Sequence, residues 1–302
     1  MTRVGGEGGM EIRILKSFLA VASLGNISHA ANSLHISQPA LSMQIKSLEK
    51  ELGKHLFVRH ARHLELTPEG RLLRERAENI VALADKTVSD FQSMDQLTGG
   101  EIQIGAAESR LFRVFAHACV EFKRDLPLTQ FDVFSGGTHQ VLDRLLDGSL
   151  DMALIVEQPA MERFHFLEIP GKDTWGVIVN DDDPLANKQQ VYPTDLVGRD
   201  LIMSSQSLVE DLPRWAGVLM EKYHYSAFYN LVSNSAHFVR EGLGIVLAFD
   251  GLISTGSGTG LRFIPFEPPL HNTMYIVWKK KQQFSPIAAR FIEYLQQTFQ
   301  PQ

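Results

Sequence analysis

In the stretch "SQPALSMQIKSLEKELG", residues 37–53, several side chains are of the kinds that contact a nucleic-acid duplex. Gln38 can pair with an adenine edge, Ser42 with several base edges, and Lys46 with phosphate. Met43 offers apolar thioether surface and no donor. Such contacts need one exposed face to carry all of these residues. At about 100° per residue, Leu41, Ile45, Leu48 and Leu52 form a narrow apolar stripe. The opposite face then holds Pro39, Met43, Lys46, Ser47 and Lys50, with Gln38 and Ser42 on its shoulder. Ser37 suits an N-cap, Pro39 falls in the first turn where a missing N–H costs little, and Gly53 suits a stop. An ordinary surface helix with a solvated polar face fits the same pattern, so the flanks must decide.

Upstream, "EIRILKSFLAVASLGNIS" places Ile14 or Leu15 with Phe18, Leu19 and Ala22 on one face of a first helix that ends at Gly25. "SHAANSLH" makes a short second helix capped by Ser28, and a turn at "HIS" leads into the third. Helix, short helix, tight turn and longer helix is the helix-turn-helix plan, whose last helix enters a major groove. Downstream, β-like runs at Leu56–Val58 and Leu64–Leu66 flank a tip containing Arg59, His60 and Arg62, a small basic wing. His60 and His63 raise the question of a metal, but no Cys or Asp stands at ligand spacing, and no metal site is expected. Thr67 caps a long helix over 68–95, with Pro68 and Glu69 favouring its start.

Residues 11–70 resemble the winged helix-turn-helix of LysR-type transcriptional regulators, through "FLAV", "SHAANSLHISQPALSMQIKSLEKELG", "LFVR" and "LTPEG". The resemblance implies base and phosphate contacts from Gln38, Pro39 and Ser42. It also implies that Arg59 and Arg62 of the wing reach the backbone or minor groove. Ser28, Ser37, Met43 and Lys46 complete the expected DNA-facing set. The family often carries arginine at the position of Met43, and arginine commonly reads guanine; contact with a thymine methyl is expected here instead.

Residues 10–70 hold seven Lys or Arg against five Asp or Glu, a net of +2, so residues 71–302 carry about −8 of the chain's net −6. A head so modestly basic needs several modules acting together. The 68–97 linker helix supplies the means. Leu72 or Leu73, Ala77, Ile80 or Val81, Ala84, Val88, Phe91 and Met94 recur at helical spacing. Such a helix either dimerises or packs onto its own C-terminal domain. The family resemblance implies a dimer, and a tetramer on an interrupted dyad of promoter DNA.

"TGGE" at 98–101 opens a body with alternating strand and helix patterns, "EIQIGAA", "RLFRVFAHACVEFKRD", "LTQFDVFSG", "HQVLDRLLDG" and "DMALIV". That order predicts a parallel sheet with crossover helices. A second unit follows, with "LVEDLPRWAGVLMEKY" expected as one helix, and the chain returns through "TMYIVWKKK" and "SPIAARFIEYLQQTF". Crossings near Pro170–Lys172 and Glu267–His271 divide lobe I, about 98–169 and 272–302, from lobe II, about 170–271. The arrangement resembles the family's two-lobed, periplasmic-binding-protein-like α/β effector domain. The expected organisation is an unstructured leader at 1–9, the winged head at 10–67, the linker, and the effector domain at 98–302.

A cleft between two such lobes lies outside the carboxyl ends of strands, at helix starts. Ser109, Gly137, Thr138, Ser204 and Ser205 fall there, and hydroxyls with free N–H groups favour a small anion such as a carboxylate. For each one the alternative is a simple helix cap. Glu108 argues against a purely anionic ligand if it points inward, and "SNSAHF" at 233–238 is a further candidate edge. Gly242–Gly244 reads as a turn, and "GSGTG" as a loop rather than a nucleotide site.

A single cysteine, Cys119, rules out an intramolecular disulfide switch or a zinc cluster, and it reads as a core residue. With neither a charged-then-apolar leader nor an apolar run of membrane length, a cytoplasmic protein is expected. Met10 is expected to be the genuine start, because "GGEGG" is what a purine-rich ribosome-binding site yields on translation. The expected partners are duplex promoter DNA, a small-molecule effector and other copies of the chain, with no cofactor and no catalytic residues. An effector-independent regulator and a solute-binding protein are the alternatives. An enzyme finds no nucleophile–base pair, since "SLEK" lies in the third helix.

Overall fold

The computed structural model describes residues 10–60, 63–93 and 99–299, so the 1–9 leader, Arg62 and Met94 lie outside the described residues. Two compact units divide the chain, Met1–Phe91 and Gln92–Gln302.

The first unit contains α1 (Ile12–Leu24), α2 (Ile27–Ser33), α3 (Gln38–Leu52), the hairpin β1 (Phe57–Arg59) and β2 (Leu64–Leu66), and α4 (Pro68–Ser93). Leu15, Phe18 and Val21 of α1 pack with Ala30 and Ala31 of α2 and with Leu41, Ile45 and Leu48 of α3. Val21 thus takes the place expected of Leu19 and Ala22, which are only half-buried, and Leu52 is exposed. Asn26, not Ser28, caps α2: its Oδ1 accepts from the N–H groups of Ser28 at 2.9 Å and His29 at 3.1 Å. Asn and Ser are equally good caps by type, so residue identity alone does not separate Asn26 from Ser28. The β1–β2 pairing is antiparallel, Phe57 opposite Leu66 and Arg59 opposite Leu64.

Thr67 begins α4, accepting from Gly70 N–H at 2.9 Å. Gly70 meets the head so closely that a Cβ there would lie 2.1 Å from the Leu56 carbonyl oxygen. Leu73 and Ala77 are buried in the head core and Val81 packs against it, while Lys16 donates to Asp85 at 2.7 Å. The first half of α4 is therefore covered by its own head, a packing that neither of the two expected arrangements included.

The second unit holds two mixed sheets. The first has strand order β4-β3-β5-β13-β6, built from β3 (Gly99–Ala106), β4 (Leu128–Ser135), β5 (Met152–Ile155), β6 (Phe164–Glu168) and β13 (Tyr275–Lys279). Strand β3 runs parallel to its neighbours β4 and β5, but β13 is antiparallel to β5 and β6. The purely parallel expectation fails because the returning strand inserts in the opposite sense. Helices α5 (Phe112–Asp125) and α9 (Pro286–Thr298) cover one face around Phe115, Phe122 and Phe291, and α6 (Thr138–Asp147) covers the other through Val141 and Leu145. Gly105 lets α6 approach β3; a Cβ there would meet Val141 Cγ1 at 2.4 Å.

The second sheet has order β11-β7-β10-β8-β9, with β12 pairing β7. Its strands are β7 (Asp173–Asn180), β8 (Asp200–Ser204), β9 (His224–Tyr229), β10 (Ile245–Phe249), β11 (Leu261–Pro265) and β12 (His271–Asn272). The helix expected over 208–223 is broken: α7 spans only Asp211–Ala216, and a 3-10 turn runs on from Gly217, whose φ is +52°. Helix α8 (Ser235–Arg240) packs on the other face. The chain crosses between sheets at 169–172 and again at 273–274, slightly beyond the expected second crossing, because β12 still pairs in the second sheet.

Gly70→Ala is expected to destabilise the first unit by about 1–3 kcal/mol, the usual cost of forcing a methyl into a filled site. All three tryptophans, Trp175, Trp215 and Trp278, lie in the second unit. Far-UV dichroism in urea should therefore show an earlier helical transition while tryptophan fluorescence stays in place.

Candidate DNA interface and interlobe cleft

Helix α3 begins at Ser37, whose Oγ accepts from Ala40 N–H at 3.3 Å, and ends at Gly53 with φ +65°. Burial of Leu41, Ile45 and Leu48 turns Gln38, Pro39, Met43 and Lys46 to the outside, with Ser42 half-buried. Met43 is 72% exposed, the most uncovered large apolar side chain among the described residues of the first unit. Gln38 Nε2 donates to Ser42 Oγ at 3.0 Å, so the two polar groups nearest the helix mouth are held together. Ser28 and Ser37 are also exposed. Arg59 ends β1, but its side chain and all of Arg62 lie outside the described residues.

Two positioning contacts were not legible beforehand. Glu49 Oε1 accepts from Leu56 N–H at 2.8 Å and ties α3 to the entry of the hairpin. Ser17, buried on α1, donates to Gln44 Oε1 at 2.8 Å and sets the rotation of α3. On the hairpin, the His60 and His63 rings stack at 4.7 Å and His60 Nε2 lies 3.2 Å from Glu65 Oε2. Glu65 is the carboxylate that sequence spacing did not associate with the two histidines; all three are exposed.

In the second unit the lobes meet over a small cleft of about 60 Å³, lined among others by Glu108, Gly137, Thr138, Ser204 and Asp211. Glu108 does point inward, accepting from Val232 N–H of the opposite lobe at 2.6 Å. Ser109 does not serve the cleft. It is buried, donating to Asp173 Oδ2 at 2.5 Å and accepting from Leu111 N–H at 2.9 Å. Ser205 borders an adjoining depression with Gly137 and Ser204. The edge expected at 233–238 is formed by Tyr229 and Asn230 instead. At the start of α6, Thr138 N–H donates to Gln206 Oε1 at 2.9 Å and Gly137 N–H to Gln140 Oε1 at 3.1 Å. The amides that an anion would need are thus engaged by side-chain carbonyls.

Burial pushes the Glu108 carboxyl above its ordinary range, against the lowering effect of Val232 N–H. Asp173 and Asp211 are also raised, chiefly by burial, against opposing hydrogen bonds from Ser109 and Asn272. Glu157 is pushed up to about 8, first by burial and then by the negative Glu210 and Asp211 beside it. Cys119 packs against the lobe I core, and burial lifts its thiol to about 12, which leaves it a poor nucleophile at neutral pH.

Residues 12–71 match the model described as bacterial regulatory helix-turn-helix protein, lysR family, and residues 95–300 match the LysR substrate binding domain. The chain belongs to the LysR family. It is a DNA-binding transcription regulator with a substrate-binding domain, and the family is one of regulators rather than enzymes. Among LysR-type relatives, the uncharacterized HTH-type transcriptional regulator YnfL of Escherichia coli is 27% identical over 297 residues, 93% of this chain and 96% of that one. The HTH-type transcriptional activator CmpR of Synechocystis sp. is 26% identical, covering 92% of each. The crystal structure of CbnR, a LysR family transcriptional regulator, superposes with a TM-score of 0.71 at 21% identity, covering 97% of this chain and 100% of that one. CbnR complexed with its target DNA gives 0.67 at 21% identity, over 96% and 100%.

The raised carboxyls set a pH dependence. A carboxyl whose folded value exceeds its unfolded value adds stability below the unfolded value and loses it as pH rises through the folded one. For Glu157 that window runs from the usual carboxylate range up to about 8. Tryptophan-monitored melting should accordingly fall between about pH 5 and about pH 9, and Glu157→Gln should flatten the decline and melt higher at the alkaline end.

Proposed function

We propose that this regulator reads promoter DNA through the outward face of α3, as a homodimer joined along α4, and answers to a small molecule held in the interlobe cleft. The exposed face of α3 carries the reading. Gln38, Pro39, Ser42, Met43 and Lys46 stand opposite a buried stripe, on a helix of the right length and polarity for a major groove. Ser28 and Ser37 at neighbouring helix starts would contact phosphate, and the family resemblance assigns the same role to Arg59 and Arg62.

The dimer rests on α4. Beside the side that the head covers, Leu72, Ile80, Leu83 and Phe91 remain exposed, Phe91 to 67%. An apolar stripe along a helix of 26 residues asks for a second helix of the same kind. Two heads held at fixed separation would bind two half-sites, and pairs of such dimers would give a tetramer on an interrupted dyad. A cytoplasmic location accords with a DNA partner; among the described residues no helix is long and apolar enough to cross a membrane. Ligand in the cleft would shift the lobes and, through the α4 pair, alter half-site spacing or DNA bend.

Met43→Arg should change base preference at one position per half-site, from thymine toward guanine, in a selection of bound fragments by full-length protein; an unaltered preference removes Met43 from readout. Leu83→Glu with Phe91→Glu should lower the mass measured by sedimentation from dimer or larger to monomer, with helical dichroism retained.

A further inference from the structure

We propose that the molecule taken by the interlobe cleft is a small organic cation, an amine, amidine or guanidine, recognised by Glu108 from one lobe and by the carboxylates around Asp211 from the other. This rests on reading the cleft as the effector site and adds the chemical class of what enters it.

Four carboxyls converge on the space. Glu108 follows β3, Glu157 follows β5, and Glu210 with Asp211 opens α7. Glu108 and Asp211 line the cleft itself, and Glu157 and Glu210 line the depression continuous with it at Asp211. No Lys, Arg or His is among the described residues lining the cleft. Arg214 lies 3.7 Å from Asp211 Oδ1 with its side chain 56% exposed and lines the depression together with His271, while Arg110 is held by Asp250 at 2.8 Å. Negative charge is therefore in excess, and burial makes each of Glu108, Glu157 and Asp211 harder to ionise, with Arg214 opposing that at Asp211.

A second, independent feature calls for a donor-bearing guest. Thr138 lines the cleft at 1% exposure, and its Oγ1 has no hydrogen-bond partner; Glu157 Oε1 is buried and unpartnered as well. Buried acceptors are normally satisfied. Three nearby donors are already committed: Tyr229 Oη donates to the Leu247 carbonyl at 2.7 Å, and the Thr138 and Gly137 amides at the start of α6 are taken by Gln206 and Gln140. An anion entering here would meet the carboxylates of Glu108 and Asp211 with no cationic side chain among the described lining residues to offset them. A guanidinium or ammonium would supply the missing donors and the missing charge, beside the aromatic walls of Trp175 and Phe249.

The test is calorimetry and tryptophan-monitored melting of the full-length protein with methylguanidine and ethylenediamine, against acetate and malonate at equal ionic strength. The cations should bind and raise the melting temperature, and the anions should do neither. Glu108→Gln should weaken cation binding by about tenfold or more, the weight of one charge-assisted hydrogen bond. If Glu108→Gln melts too low to assay, Glu210→Gln provides the same comparison. Stabilisation by the anions alone overturns the cationic class and leaves the effector cleft standing. Silence from all four probes removes the effector reading together with it. Cation binding undiminished in both variants places the cation elsewhere and overturns the proposal.

Discussion

Everything the head offers to a duplex follows from one packing constraint, the burial of Leu41, Ile45 and Leu48 against Leu15, Phe18 and Val21. A helix with three residues locked into a core has no rotational freedom left, so the side chains opposite are fixed outward. Ser17 and Gln44 refine that rotation with a buried hydrogen bond, and Glu49 fastens the far end of the helix to the hairpin. Close approach at Gly70 then joins α4 rigidly to the same core. A displacement of α4 would accordingly carry the outward face of α3 with it, which is the mechanical requirement for a regulator whose heads are spaced by a helix pair.

The body solves a different problem. Its two lobes share buried polar groups across their junction: Glu108 with Val232, Thr138 with Gln206, and Ser109 with Asp173. Such contacts are directional, and a junction built on them discriminates between open and closed arrangements more sharply than an apolar seam would. Carboxyls held above their ordinary range mark this junction as a place where stability is given up. A cationic guest would favour the ionised form of those groups.

The head was legible because its signals are local. The 3.6-residue period, the Ser37 cap, Gly25, Gly53 and the Thr67–Gly70 turn each act within a few residues of themselves. Errors there were choices between equivalent signals, Asn26 against Ser28 and Val21 against Ala22. The body was legible in its order of elements and less so in its sense. Whether β13 enters parallel or antiparallel depends on where a strand 120 residues from β5 is inserted, which periodicity does not encode. Helix α7 stopped short because Gly217 turns the chain within an apolar pattern that otherwise continues. In the cleft, residue type alone could not separate Ser109, a structural donor, from Thr138, whose hydroxyl lacks a partner. The excess of acid was visible only as Glu108, because Glu157, Glu210 and Asp211 are brought to it by tertiary folding.

The claim on which the functional reading turns is that the outward face of α3 distinguishes base pairs. Equilibrium binding of wild type and Gln38→Ala to a selected site and to random duplex, across a salt series, tests it directly. Discrimination should fall by about 1–3 kcal/mol in the variant while the slope of log affinity against log salt is kept, since phosphate contacts remain. A variant that retains full discrimination, or that loses affinity equally for both duplexes, contradicts the account.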